Sequence, residues 1–347
     1  MPESKWEIPV NKLRPGEFTE RHDVLTLVTG ATGLVGNNVV RRLVRDGRAV
    51  RVLVRPSSCA RSLTGLDVDL VRGDICEPAD VQRACHGVQL VIHCAGYVQI
   101  GWSNARLHCA VNVTGTRNTA EASRAAGARM VHVSSVDVIG IKTRENPADE
   151  DDAPDGHVLC PYVVSKRDAE REVMNNVAEG LDAVIVNPNF IIGPWDWKPS
   201  SGRMLLEVAR GRGMLAPPGG NDFCDARDVS SGILAAAERG QIGRRYILGG
   251  RPLSYLGAWL LFADVTGARP PIGVAPGWML HIAGLAGDVW GCLRRREPDV
   301  NSAATAISSL PHHYSSARAV AELGYQMRDV RETVEDAWSW FLEWKYA

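Results

Sequence analysis

The chain contains no apolar run long enough to cross a bilayer uninterrupted. The best candidate, 275–293 (APGWMLHIAGLAGDVWGCL), is broken by His281, Asp288 and internal glycines. A spanning helix needs about twenty predominantly apolar residues. The segment is expected to be a buried helix of a smaller lobe. A lid over an apolar ligand and a membrane-surface helix are the other readings, and RRRE at 294–297 reads as its solvated end. Charge of one sign is also missing. With 39 Lys+Arg against 40 Asp+Glu the net charge is −1, which gives no pull toward nucleic acid or an acidic membrane surface. Eight cysteines (59, 76, 85, 94, 109, 160, 224, 292) form no C-x-x-C pair and no ligand spacing with histidine. They read as reduced thiols, mostly in the core, of a cytoplasmic enzyme, with attachment to a membrane surface left open. His93, His132, His281, His312 and His313 show no metal spacing, so no metal is expected. Residues 1–23 are polar, contain Pro2, Pro9 and Pro15, and lack the apolar centre of a signal peptide. They read as a surface tail.

What is present begins with TGATGLVG at 29–36. An apolar run, Val24 to Val28, precedes it and reads as a buried parallel strand. A helical pattern follows from Asn37 to Asp46, with Val39, Val40, Leu43 and Val44 on one side. Gly30 permits a tight turn, Gly33 lets backbone approach a pyrophosphate, and Gly36 lets helix and strand pack closely. A helix N-terminus then faces the phosphates with free N–H groups. A second strand, Val50 to Val54, is followed by Arg55. An acid here would hold the adenosine ribose hydroxyls, whereas arginine suits a 2′-phosphate. NADP(H) is therefore favoured, with NAD(H) as the alternative.

Strands continue to alternate with helices. Val68–Val71 is followed by Gly73-Asp74-Ile75, Val88 to Cys94 ends in Cys94-Ala95-Gly96, a helix carries Asn112 to Ala126, and Met130 to Ser134 forms a fifth strand. This alternation predicts an α/β fold, a Rossmann-type doubly wound parallel sheet with helices on both faces, plus a smaller, mostly helical C-terminal substrate lobe. The 347 residues fit a core at 24–187 and a lobe at 188–347, interleaved with late core elements near 222–248. Ligands of such sheets lie at the carboxyl ends of the strands, where Arg55, Asp74, Ala95, Gly96 and Ser135 fall. Tyr162 and Lys166, in CPYVVSK, stand four apart on one helical face. An ammonium beside a phenol favours the phenolate and is expected to pull the tyrosine down from about 10 toward neutrality. Such a tyrosine exchanges a proton in step with hydride movement.

Together these motifs resemble the extended short-chain dehydrogenase/reductases of the NAD(P)-dependent epimerase/dehydratase superfamily. The resemblance runs over about 24–345 and rests on TGATGLVG, GDI (73–75), CAG (94–96), VNVTGTRN (111–118), VSSVDVIG (133–140), YVVSK (162–166), NPNFIIGPWD (187–196) and SSARAVAELGY (315–325). VRVLVRPSS, NPNFIIGPWDWKPSSGRM and ERGQIGRRYILGG are most similar to the dihydroflavonol 4-reductase-like group, which includes hopanoid-associated sugar epimerase proteins. The resemblance implies that Tyr162 is the proton donor or acceptor, that Lys166 lowers its pKa and bonds the nicotinamide ribose, and that Ser135 holds the substrate carbonyl. Asn112 divides evenly between helix packing and a water-mediated proton path. Cofactor contacts would come from Gly30, Thr32, Gly33, Leu34, Val35, Gly36, Arg55, Asp74, Ile75, Cys94, Ala95, Gly96, Pro188, Asn189 and Ile191, with Asp74 and Ile75 on the adenine.

Departures from the family pattern narrow the substrate. Nucleotide-sugar members often carry asparagine at the position of Phe190 and arginine before Phe223, where this chain has Gly219-Gly220-Asn221-Asp222. The 4,6-dehydratases have Thr-Asp-Glu where this chain has Ser135-Val136-Asp137, so Asp137 reads as a loop or substrate contact. Trp195, Trp197, Met204, Leu205 and Leu206 are expected to line an apolar pocket, with Tyr97, Val136, Asp137 and Asn189 as further substrate contacts. The expectation is an NADP(H)-dependent reductase or dehydrogenase of a hydrophobic, cyclic ketone or secondary alcohol. A sugar or nucleotide-sugar epimerase and a sterol-type 3β-hydroxy dehydrogenase are the enzymatic alternatives. A cofactor-sensing regulator is the other class, but such relatives tend to lose the tyrosine or lysine that this chain keeps. A small-molecule substrate is the expected partner, with a homodimer left open.

Overall fold

The computed structural model describes residues 24–59 and 61–347, so the expected tail at 1–23 lies outside the described residues. β1 (Thr26–Thr29) turns at Gly30 into α1 (Leu34–Arg45). Then come β2 (Val50–Val54), β3 (Asp69–Arg72), α2 (Pro78–Cys85) and β4 (Leu90–His93). A short α3 (Ala105–His108) runs through a π-helical turn at Cys109–Thr114 into α4 (Gly115–Ala125), followed by β5 (Arg129–Val133), α5 (Pro161–Ala178) and β6 (Ala183–Pro188). Beyond it lie β7 (Phe190–Ile192), α6 (Gly202–Ala209), β8 (Leu215–Ala216), β9 (Gly220–Asp225), α7 (Ala226–Arg239), β10 (Arg245–Leu248) and β11 (Arg251–Ser254). The chain ends with α8 (Tyr255–Thr266), β12 (Gly273–Val274), α9 (Gly277–Arg294), α10 (Ser302–Ile307), β13 (Pro311–His312) and α11 (Val330–Glu343).

Seven strands form one parallel sheet in the order β10-β6-β5-β4-β1-β2-β3. The chain winds outward from β1 to β3, then returns to place β4 on the other side of β1. That reversal opens a crevice at the carboxyl ends of β1 and β4, where such sheets bind ligands. One face is covered through Val39, Val40 and Leu43 of α1 and Ile233 of α7. The other is covered through Val81 of α2, Ala120 of α4 and Val173 of α5. With both faces buried, the strands read as continuous apolar runs, which is why they were visible in sequence. Helix starts were less visible. α1 begins at Leu34, three residues before the expected Asn37, because Gly33 is its N-cap and Gly36 lies in its first turn.

The lobe holds helices around a four-stranded sheet (β11-β9-β13, with β7 on β9) and a β8/β12 pair. Its core is Trp340, Phe341, Phe262 and Leu205. Trp195, expected to line a pocket, joins this core, and Trp197 and Met204, partly buried, pack against it. Trp197 lies edge-on to Trp344 at 4.6 Å. The Arg41 guanidinium of α1 sits 3.4 Å over the Trp195 ring, and Asn38 donates to the Pro194 carbonyl at 3.0 Å. Trp195 thus fastens the lobe to the sheet domain. Val136, expected as a substrate contact, packs in a small core with Val138, Ile139 and Ile247. The 275–293 segment is helical, but of α9 only Gly284 is buried. Among the described cysteines, only Cys85, Cys160 and Cys224 are buried, fewer than expected.

Two buried histidines tie β4 and β5 together. His93 and His132 stack at 5.5 Å, and His93 bonds the hydroxyls of Thr29 (2.7 Å) and Thr116 (3.0 Å). Burial, helped by the Lys166 charge, lowers His93 to about 3 and His132 well below its usual value. An unfolded histidine takes a proton near pH 6.5, and the folded one does not until far lower. Stability is therefore present above that value and is lost as pH falls from 6.5 toward 3, by up to about 1.4 kcal/mol per pH unit per site. We expect the thermal midpoint to decline between pH 7 and 5. His93→Gln should flatten that decline, and an unchanged slope would contradict the assignment.

Candidate active site

The loop after β1 meets the requirements of a dinucleotide cradle. Gly30 has φ +70°, and a Cβ there would lie 2.6 Å from the Ala95 nitrogen. A Cβ on Gly36 would collide with the Gly30 carbonyl oxygen. Gly33 differs, because its Cβ would meet only the Gly30 oxygen at 3.4 Å. The protein itself leaves room at Gly33, and the approach it keeps open leads to the helix end. There α1 has no side-chain cap and no acid in its first turn, so its orphan N–H groups and positive dipole end stay available to an anion. Thr32, Leu34 and Val35 lie in the same turn. These features fit a bound dinucleotide. Gly33→Val should remove cofactor binding, read by calorimetry, and leave the thermal midpoint within about 1 °C for each few tenths of a kcal/mol lost. Retained binding would contradict the cradle.

The strand ends place the other expected contacts around that crevice. Arg55 follows β2 directly and is exposed. Arg72, which sequence reasoning missed, ends β3 beside it and donates to the carbonyls of Arg55 (3.3 Å) and Ser58 (3.2 Å). Asp74 accepts from the Cys76 N–H at 3.0 Å. Ile75 fills the space over Gly115, and its carbonyl takes Asn118 Nδ2 at 2.9 Å. Cys94, Ala95 and Gly96 follow β4, where burial pushes the Cys94 thiol up to about 12. Pro188 ends β6, Ile191 lies in β7, and Asn189 Nδ2 donates to the His312 carbonyl at 3.2 Å.

Ser135, Tyr162 and Lys166 lie beside the crevice and are buried, at 8 %, 8 % and 7 % exposed. Tyr162 and Lys166 project from the first turns of α5, which starts at Pro161, a residue pre-set for that position. Lys166 Nζ donates to the Val133 carbonyl at 2.9 Å. Burial lowers Lys166 to about 8, with Glu170, Cys94 and Asp137 acting in the opposite direction. The expected drop of Tyr162 is not found in this state. Burial raises it, Asp137 adds to the rise, and the Ser135 hydrogen bond opposes it. Desolvating a phenolate outweighs a lysine whose ammonium is engaged by a backbone carbonyl.

Ser135 Oγ donates to Asp137 Oδ2 at 2.8 Å. Its carbonyl accepts from Asn187 Nδ2 at 2.9 Å, and the same nitrogen bonds Glu170 Oε1 at 2.7 Å. Arg245 Nε holds the other Glu170 oxygen at 2.7 Å. Sequence reasoning missed Asn187 and Glu170. The signal for Glu170 was its place four residues after Lys166 on the same helical face. Asn112 clamps the chain at Tyr97. Its Oδ1 accepts the Tyr97 N–H (2.7 Å), and its Nδ2 donates to the Tyr97 carbonyl (3.1 Å) and Ser165 Oγ (2.9 Å). That accounts for both Asn112 protons and favours the packing role. The Tyr97 ring packs edge-on to His108 at 4.7 Å, and His108 reaches Tyr162 at 6.2 Å.

Folding also gathers polar groups that share no spacing in sequence. Asp137, His157 and His312 bring ligand atoms within 4.8 Å of one another. His157 and His312 each direct Nε2 at a carbonyl, of Ile139 and Ile307, which leaves Nδ1 to accept. His157 Nδ1, Tyr314 Oη and two nitrogens of Arg167 are buried without a partner. Arg167 lies close enough to influence Asp137 and His157. Its positive charge opposes a divalent cation here and suits a ligand bearing hydroxyl or anionic oxygens.

The NAD-dependent epimerase/dehydratase family model matches residues 26–249. The chain belongs to this family. It is 35 % identical over 327 residues to a Synechocystis protein named for dihydroflavonol 4-reductase, covering 92 % of this chain and 95 % of the relative. Sterol demethylase protein B of Methylococcus capsulatus is 34 % identical over 324 residues, covering 92 % and 98 %. The crystal structure of gox2253 superposes with TM-score 0.81 at 34 % identity, covering 93 % of this chain and 98 % of that one.

Proposed function

We propose that this family member is an NADP(H)-dependent reductase or dehydrogenase acting on a ketone or secondary alcohol of an apolar cyclic compound. The observation that carries the reading is the buried Ser135–Tyr162–Lys166 group at the carboxyl end of β5 and the start of α5, beside the crevice. A bound nicotinamide supplies or accepts the hydride. Tyr162 gives its hydroxyl proton to the substrate oxygen in reduction and takes it back in oxidation. Ser135 turns its hydroxyl from Asp137 to that oxygen, and Asp137, His157 and Arg167 receive polar substituents of the substrate. Lys166 exchanges the Val133 carbonyl for the cofactor ribose, and its charge then favours the phenolate. Arg55, with Arg72 beside it, supports NADP(H) through a charge-assisted bond to the 2′-phosphate. Phe190, packed on Phe223 at 5.0 Å, offers no partner to a sugar diphosphate, whose unpaired charge would be costly to bury. Names of relatives that refer to sterol and flavonol chemistry agree with a polycyclic substrate.

A panel of apolar cyclic ketones should oxidise NADPH, with NADH the weaker donor. Tyr162→Phe should cut turnover by roughly 100- to 10,000-fold and spare NADPH affinity. Arg55→Asp should weaken NADPH by more than about tenfold and leave NADH unchanged. Equal wild-type affinity for both cofactors would end the NADP reading. Micromolar binding of UDP, dTDP or GDP sugars would replace the reductase with an epimerase.

A further inference from the structure

α9 is built the opposite way from a helix of a water-surrounded surface. Its inward stripe is glycine. A Cβ on Gly284 would come within 2.5 Å of Thr305 Oγ1 and 2.8 Å of Ser302 Cα. One on Gly287 would overlap the Val300 carbonyl, and one on Gly291 would lie 2.8 Å from Pro298 Cδ. These glycines let α9 lie flat on α10 and on the segment 298–301. The large apolar residues point outward, with Trp278 67 %, Ile282 58 %, Leu285 48 %, Val289 63 %, Trp290 53 % and Leu293 74 % exposed. Trp278, Ile282, Leu285, Val289 and Leu293 recur at spacings of three and four, which makes one continuous stripe, with Trp290 at its flank. Just upstream, Ile272 and Val274 are exposed too. Contiguous apolar surface of this kind marks an interaction site.

Charge selects the partner. Arg294, Arg295 and Arg296 are exposed at the C-terminal end of the stripe, and the Arg294 guanidinium sits 4.5 Å over the Trp290 ring. The acids of the region are turned away or engaged. Asp288 accepts from the Ser302 N–H at 3.0 Å, Glu297 from the Ser103 N–H at 2.8 Å, and Asp299 pairs with Arg203 at 2.5 Å. The outer face therefore combines tryptophan and aliphatic side chains with three exposed cations, while Asp288, Glu297 and Asp299 are held by Ser302, Ser103 and Arg203. A helix with an apolar face, interfacial tryptophans and arginines lies in the headgroup plane of an anionic bilayer. No described helix is long and apolar enough to cross a membrane.

We infer that α9 is a membrane-docking helix, recognising an anionic lipid surface through the Trp278–Leu293 stripe and the Arg294–Arg296 cluster. The position suits apolar substrates. α10, on which α9 rests, contributes Ala303 and Ile307 to the cluster that contains Tyr162, so the docked face and one wall of the site share a helix pair.

The full chain should be centrifuged with sucrose-loaded vesicles of phosphatidylcholine alone and of phosphatidylcholine mixed with phosphatidylglycerol. We expect it to sediment with the anionic vesicles, less with the neutral ones, and to be partly released by salt. The double variant Leu285→Glu, Trp290→Glu should stay in the supernatant. Replacing Arg294, Arg295 and Arg296 by serine should weaken anionic binding by about tenfold or more and leave neutral binding unchanged. All these positions are exposed, so the variants should keep the wild-type thermal midpoint. A wild type that ignores both vesicle types, or variants that bind like wild type, would overturn the inference. So would an α9 variant that turns a dimer into a monomer in the ultracentrifuge without any vesicle binding, which would assign the face to a second copy. Vesicle binding is read without turnover, so its failure leaves the reductase reading standing.

Discussion

A buried ammonium at the carboxyl end of β5 is the constraint around which the site is arranged. Lys166 is 7 % exposed and bonds the Val133 carbonyl, and such a charge is costly unless compensated. Glu170, one turn further along α5, is the nearest compensation, and it is itself buried. Asn187 of β6 and Arg245 of β10 hold its two oxygens, and Asn187 also bonds the Ser135 carbonyl. One polar chain thus runs from Arg245 through Glu170 and Asn187 to Ser135. It sets the serine and the lysine relative to each other from three neighbouring strands and one helix. His93 and His132 lie on the other side and remain neutral because the same burial and the same charge disfavour a second cation.

The state of Tyr162 follows from this arrangement. Without a ligand, burial and Asp137 keep the phenol protonated, while Lys166 spends its bond on a backbone carbonyl. In the proposed reading, the acid–base pair is assembled by whatever draws Lys166 from Val133 toward Tyr162. The open approach at Gly33 and the uncapped end of α1 are where the proposal places that partner. Arg41 and Trp195 clamp the lobe onto the same helix α1.

Much of this was legible in the sequence because it depends on local patterns. Buried parallel strands produce apolar runs, as at Val50–Val54, which matched β2 residue for residue. Glycines at 30, 33 and 36 announce a turn in which Gly30 and Gly36 tolerate no side chain while Gly33 keeps an approach open, and Tyr162 and Lys166 sit one helical turn apart. Long-range placement was not legible. Trp195 and Trp197 look like pocket aromatics in a linear reading, but their partners are Arg41, Trp340 and Trp344, far away in the chain. Asp137, His157 and His312 share no spacing and meet only where the lobe folds against the sheet domain. The direction of the Tyr162 shift depends on competing burial and charge, which no spacing encodes. α9 showed its apolar character in sequence, but which side faces outward is decided by where its glycines pack.

The central claim is that Lys166 controls the proton on Tyr162 once cofactor is bound. The direct measurement is the tyrosinate difference absorbance of the protein saturated with oxidised nicotinamide cofactor, titrated with base. The Tyr162 contribution is isolated by subtracting the Tyr162→Phe variant. The account predicts that Tyr162 ionises at a lower pH in the cofactor complex than in the free protein, and that Lys166→Met abolishes most of this difference. An ionisation that falls at the same pH with and without cofactor, or that is unmoved by Lys166→Met, would contradict it.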